Sequence, residues 1–185
     1  MDRASADESP RRWGRSRRGR WVTLVLLLVL GGGLGWAVVS NAMTVRVYSI
    51  PTGSMAPALM PGDRVSVQTR PGRAPRRGEI WVARLPRASG GSGEVVKRVV
   101  GLPGETVEVR SGQVFIDGHP LDEPYLTAAI RYTMPPTTLG RGEYLLLGDQ
   151  RNTSFDGHVW GPLPESLLVG PVLSRYWPVE RIGGL

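Results

Sequence analysis

From residue 44 to residue 177, apolar and polar residues alternate with a period of two, and glycine or proline interrupts the alternation every few residues. A period of two suits an extended chain, whose successive side chains point to opposite faces, and does not suit a helix with its period of 3.6. Residues 44–50 carry Val45 and Val47 on one face, and residues 63–69 repeat the pattern with Val65 and Val67. The stretches 80–85, 94–100, 106–110, 113–117, 144–147 and 172–177 are predicted as strands on the same ground. Pro61-Gly62-Asp63, Arg77-Gly78-Glu79, Pro103-Gly104-Glu105, Asp117-Gly118 and Arg141-Gly142-Glu143 mark turns between them. Only residues 54–59 and 164–168 suggest short helical turns. The expected fold is therefore mainly β, an antiparallel sandwich-like or barrel-like domain over residues 40–185.

A different pattern precedes it. Residues 21–39 form an uncharged apolar run of 19 residues, with Trp21 and Trp36 near its ends. As a helix it measures about 28 Å, enough to cross a bilayer core. The net charge of +7 is concentrated before this run, where seven arginines face three acidic residues in residues 1–20. A basic flank stays in the cytoplasm. The expected layout is a cytoplasmic basic tail at 1–20, a transmembrane helix at 21–39 in contact with membrane lipid, and an extracytoplasmic domain from residue 40. Ser40-Asn41-Ala42 leaves open a cleaved signal peptide instead, although the run is longer than a usual signal-peptide core. This placement of charge argues for a membrane and against a nucleic-acid partner. Two arginine- or glycine-rich stretches, 70–77 and 87–93, read as surface loops.

Other chemistry is excluded by count. The chain has no cysteine and two histidines, so it offers no disulfide, no thiolate site and no His-rich catalytic metal site; no metal and no other cofactor is expected. Of 23 basic residues, 22 are arginine and one, Lys97, is lysine. Arginine does not lose its proton at usable pH, whereas a desolvated lysine does. Alternation puts Val95, Lys97 and Val99 on one face of their strand and Val96, Arg98 and Val100 on the other. If the lysine face is the core, the Lys97 pKa falls toward that of a general base. The candidate nucleophile is Ser54 in Ile50-Pro51-Thr52-Gly53-Ser54-Met55, on a turn stiffened by Pro51 and Pro57. The Ser54 N–H and the Thr52 hydroxyl are candidate oxyanion donors. A third patch, Gly148-Asp149-Gln150-Arg151-Asn152-Thr153-Ser154-Phe155-Asp156-Gly157-His158, is dense in hydrogen-bonding groups and follows an apolar strand.

The three patches, in this order and behind an apolar N-terminal run, resemble the bacterial type I signal peptidases, the Ser/Lys-dyad leader peptidases of family S26. Residues 52–59 with Gly62-Asp63 are similar to the family's nucleophile box, residues 96–105 to its lysine box, and Gly148-Asp149, Arg151, Ser154 and Asp156 to its C-terminal box. Asp117-Gly118 and Glu123-Pro124-Tyr125 fit the intervening segment. The resemblance implies a serine protease in which Ser54 is nucleophile and Lys97 general base. It further implies that Thr52 contributes to the oxyanion hole, that Ser154 orients the lysine and that Asp156 supports the site. Ile50, Pro51, Met55, Leu59, Val95 and Val96 match positions that line the pockets for small substrate residues. A small inserted β lobe is implied at about residues 105–143. Three positions depart from the family pattern: Gln150 replaces Asn, Gly157 replaces a common serine, and His158 replaces an arginine that pairs with the aspartate.

The implied activity is cleavage of signal peptides from exported preproteins after Ala-X-Ala-type sites, in the plasma membrane, through an acyl-enzyme. Three alternatives stand beside it: another membrane-tethered Ser/Lys peptidase, of the pilin-maturation or conjugation type; a non-catalytic anchored β-domain that binds exported proteins; and a serine–histidine hydrolase using His119 or His158.

Overall fold

The computed structural model describes residues 27–33, 44–69, 71–86 and 93–184. The basic tail, most of the apolar run, Arg70 and nearly all of the 87–93 loop lie outside the described residues. Residues 27–33 are helical. Among the described residues no helix is long and apolar enough to cross a membrane. Residues Thr44–Leu185 form one compact unit.

That unit is mainly β. Eleven strands are described: β1 Val45–Ser49, β2 Arg64–Gln68, β3 Ile80–Arg84, β4 Glu94–Gly101, β5 Thr106–Arg110, β6 Gln113–Ile116, β7 His119–Pro120, β8 Met134–Thr138, β9 Glu143–Leu147, β10 Leu163–Pro164 and β11 Leu168–Trp177. Seven of them form one sheet in the order β1-β2-β11-β3-β4-β9-β10, and four form a second sheet in the order β7-β6-β5-β8. Every pairing is antiparallel. The larger sheet does not close into a barrel, since β1 and β10 are its edges. The small sheet occupies the segment expected to be an insert but does not stand apart. Val107, Val109, Val114 and Met134 share one buried cluster with Val100, Leu145 and Leu147 of the larger sheet.

The predicted strands are all present, and the differences have local causes. Strand β8 contains Pro135 and Pro136, which cannot donate to a ladder and hide it from a pattern search. Strands β7 and β10 have two residues each, too few to show a period. Strand β11 begins four residues before its predicted start because Gly170 and Pro171 interrupt the alternation there. Residues 54–58 are turn rather than helix, and the later helical turn is a 3-10 turn at Glu165–Leu167.

Gly170 shows why the pattern breaks. Strand β11 leaves β3 and joins β2 near this point, with irregular register on both sides. A Cβ on Gly170 would lie 1.8 Å from the Gln68 carbonyl oxygen and 2.7 Å from its carbon, both backbone atoms that cannot step aside. Gly170→Ala should therefore destabilise the domain by about 1–3 kcal/mol, as overpacking does, measured as a lower denaturant midpoint at unchanged slope.

Candidate active site

Strand β4 is covered on both faces. Val95 and Val99 pack with Trp81 and Ala83, while Val96 packs with Ile80 and Val82. Lys97, in register with Trp81 of β3, is 4% exposed. Its Nζ lies 2.8 Å from Ser54 Oγ, across 43 residues of sequence. Burial lowers the Lys97 pKa from the ordinary lysine value, and the charges of Asp156 and Asp149 oppose that shift without cancelling it. When the amine is neutral, the same short contact lets the serine hydroxyl donate to nitrogen. An amine driven toward neutrality beside a hydroxyl is able to take that hydroxyl's proton.

Ser54 sits in the turn after β1. The Ala56 N–H bonds the Gly53 carbonyl at 3.0 Å and the Leu59 N–H bonds the Met55 carbonyl at 2.9 Å. Thr52 Oγ1 donates to Ser54 Oγ at 3.3 Å, so the predicted hydroxyl partner is beside the serine. The Gln150 N–H donates to the Ser54 carbonyl at 3.0 Å, tying this turn to the loop that follows β9. A cleft of about 230 Å³ opens at this place, lined by Ile50, Pro51, Thr52, Ser54, Met55, Val95, Val96 and Lys97. Five of the six predicted pocket residues are on its wall. Leu59 is not: it is 0% exposed, packed in the core with Ile50 and Met55 beneath the cleft.

The loop after β9 is held by buried charge. Asp156 is fully buried, and its carboxylate accepts the Gly148 N–H at 2.8 Å, the His158 N–H at 3.1 Å and an approach of the His158 Nδ1 at 2.8 Å. His158, standing where the resembled family has arginine, thus keeps the contact, and its ring stacks on Tyr132 at 4.1 Å. Ser154, which the resemblance implies to orient the lysine, is 5% exposed. Its hydroxyl is buried and has no hydrogen-bond partner among the described residues. It lies against Gly148, where an added Cβ would come within 2.2 Å of Ser154 Oγ and 2.6 Å of the Ser54 carbonyl oxygen. Gly148 is therefore the point at which the two serine-bearing segments touch.

Two ion pairs that the sequence reading did not single out frame this loop. Arg98 makes a two-pronged contact to Asp149, with Nε to Oδ1 at 2.8 Å and Nη2 to Oδ2 at 2.6 Å, and stacks on Tyr125 at 4.0 Å. Arg151 grips Glu123 in the same way at 2.9 and 2.6 Å and donates to the Gly148 carbonyl at 3.0 Å. All four side chains are nearly or fully buried. A signal for Arg98 was present, since it lies between two valines on its own face just as Lys97 does.

Gly148→Ala should disturb the site without touching the Ser54 hydroxyl or the Lys97 amine directly. Its methyl must push the Ser54 backbone or Ser154 away, and a misplacement of about 1 Å at a reacting group costs roughly 10²-fold in rate. The expected outcome is a folded protein, by circular dichroism, with a greatly reduced turnover of substrate.

The family profile described as signal peptidase, peptidase S26, matches residues 18–177. The signal peptidase I of Leptolyngbya laminosa is 41% identical over 143 residues, covering 74% of this chain and 70% of that protein. A probable signal peptidase I-2 of Synechocystis sp. is 40% identical over 166 residues, covering 87% of this chain and 73% of that protein. A crystallised signal peptidase I of Enterococcus faecalis V583 is 28% identical, with a TM-score of 0.45, covering 54% of this chain and 97% of that chain. With most of its length inside the profile, the chain belongs to the signal peptidase family, peptidase S26.

Proposed function

We propose that this chain is a membrane-bound serine endopeptidase that removes signal peptides from exported preproteins, with Ser54 as nucleophile and Lys97 as general base. The observation that carries the reading is the 2.8 Å contact between a buried lysine amine and a serine hydroxyl on the wall of a cleft.

In the first half of the reaction Ser54 Oγ attacks the scissile carbonyl carbon, and its proton passes to Lys97 Nζ. The carbonyl oxygen becomes an oxyanion, which the Ser54 N–H and the Thr52 hydroxyl stabilise. The C–N bond then breaks, the protonated lysine gives its proton to the leaving amine, and the signal peptide stays on Ser54 as an ester. In the second half Lys97 takes a proton from water, the hydroxide attacks the ester carbon, and Ser54 leaves with that proton. No step needs a metal or an organic cofactor.

Asp156 supports the site by fixing the Gly148 N–H and the His158 ring, and Ser154 supports it by filling the space between Gly148 and the nucleophile turn. Ile50, Pro51, Met55, Val95 and Val96 make an apolar wall that suits alanine-sized side chains. The substrate lies there as an extended strand, as peptides do beside an exposed sheet edge. Residues 21–39 serve as a single-pass anchor, with the basic tail in the cytoplasm and the catalytic unit outside. Ser54 lies 15 residues after Val39. It is thereby held within about 50 Å of the bilayer, close to precursors still in the membrane.

Ser54→Ala and Lys97→Arg should each lower preprotein cleavage by about 10⁴-fold or more, with the fold retained, when products are mapped by mass. Arginine keeps the charge and cannot act as base, so substantial cleavage by Lys97→Arg would remove Lys97 from that role. Labelling of Ser54 by a serine-acylating reagent in the wild-type chain separates this reading from that of a non-catalytic binding domain.

A further inference from the structure

The chain does not run off the sheet after β11. It passes through a 3-10 turn at Val179–Arg181 and comes back, so that Arg175 and Gly183 exchange backbone hydrogen bonds at 3.1 and 3.2 Å. This hook carries two guanidinium groups. Arg175 Nε donates to the Arg181 carbonyl, which locks the two together.

Both groups reach the segment just after Ser54. Arg175 Nη1 donates to the Ala58 carbonyl at 2.6 Å, and Arg181 Nη2 donates to the Pro57 carbonyl at 3.1 Å. Both also face Asp63, at 3.8 Å from Arg175 and 3.4 Å from Arg181. Asp63 is 1% exposed, and its carboxylate accepts the Met60 N–H at 2.8 Å. Its backbone closes the same loop: the Ile50 N–H bonds the Asp63 carbonyl at 2.9 Å, and the Gly62 N–H bonds the Ile50 carbonyl at 2.8 Å.

The loop between Ile50 and Asp63 therefore has its two ends bonded to each other and its outer backbone gripped by two arginines. It has no sheet or long helix of its own to set its position. A buried carboxylate demands cationic or hydrogen-bonded partners. The planar guanidinium fork meets a carboxylate and a carbonyl at once in a fixed geometry. On the other side, the Gln150 N–H holds the Ser54 carbonyl. The nucleophile turn is thus pinned between the β9 loop and the C-terminal hook.

We infer that Arg175 and Arg181 are positioning residues, which act as a clamp on the Pro57–Asp63 backbone and so hold Ser54 Oγ at the distance from Lys97 that proton transfer needs. The inference rests on the Ser54–Lys97 reading given above. Neither arginine lines the cleft, so the clamp acts on turnover and leaves substrate binding nearly unchanged.

The test uses the full chain in detergent with Arg181→Gln, Arg181→Lys and Arg175→Lys. Two quantities are read: hydrogen exchange at the Ala56, Leu59 and Met60 amides, and kcat and KM for a model preprotein. In Arg181→Gln the three amides should exchange about tenfold faster while the β3–β4 amides keep their protection. The same variant should show kcat lowered about tenfold or more with KM within about twofold. Arg181→Lys, which keeps a charge and donors, should recover most of both effects, and Arg175→Lys should reproduce the Arg181→Gln pattern because it loses one of its two carbonyl contacts. Unchanged exchange at the three amides overturns the clamp. So does faster exchange throughout the sheet, which marks a merely structural role, and so does faster loop exchange with wild-type kcat. Faster loop exchange in a chain whose wild-type form shows no Ser54-dependent cleavage upholds the grip on the loop and overturns the Ser54–Lys97 reading instead.

Discussion

A lysine amine taken out of water and given a hydroxyl as its partner is the constraint on which this structure turns. Transfer of a charged amine into a protein interior is unfavourable, and an adjacent carboxylate would restore the charge by pairing with it. Two carboxylates are near Lys97, and both are engaged elsewhere. Asp149 is held by the Arg98 fork. Asp156 accepts two backbone N–H groups and contacts an imidazole nitrogen. Their charges still oppose the shift at Lys97, but desolvation is the larger effect. The result is an amine that leans toward the neutral form within 2.8 Å of Ser54 Oγ.

The sheet brings the three parts of the site together. Pairing of β4 with β3 sets Lys97 opposite Trp81, and pairing of β4 with β9 sets Arg98 opposite Leu147, one residue before the Gly148 loop begins. The Ser54 turn follows β1 at the sheet edge and is joined to that loop by a backbone bond from Gln150. Contacts this close leave no room for side chains at the crossing points. Gly148 lies where Ser154 and the Ser54 carbonyl converge, and Gly170 lies where β11 passes the end of β2. The segment between β7 and β8 contributes Glu123, which pairs with Arg151 as that arginine donates to the Gly148 carbonyl.

Much of this was legible in the residues themselves. The mainly β fold followed from period-two alternation, because each strand buries one face or both. Lys97 stood out because an arginine-rich chain keeps one lysine, and Ser54 because a glycine precedes it on a turn between prolines. What stayed hidden depends on distance in space. Strand β8 has two prolines where a strand is not expected. Leu59 is assigned to the pocket by the resemblance alone, and its 0% exposure places it in the core. The Arg98–Asp149 pair joins residues 51 apart, and the grip of Arg181 on Pro57 joins residues 124 apart. No local pattern announces either. The closeness of the buried Ser154 hydroxyl to Gly148 likewise shows only in the folded chain.

The central claim is that Lys97 is held toward neutrality in the folded chain. Because Lys97 is the only lysine in the sequence, ¹³C-lysine labelling yields a single ε-methylene signal that belongs to it without assignment. Its chemical shift followed against pH reports the titration of that amine directly. The account predicts a midpoint clearly below the ordinary lysine value of about 10.4, returning to the ordinary value when the chain is unfolded in denaturant. A folded chain whose lysine titrates at the ordinary value would contradict it.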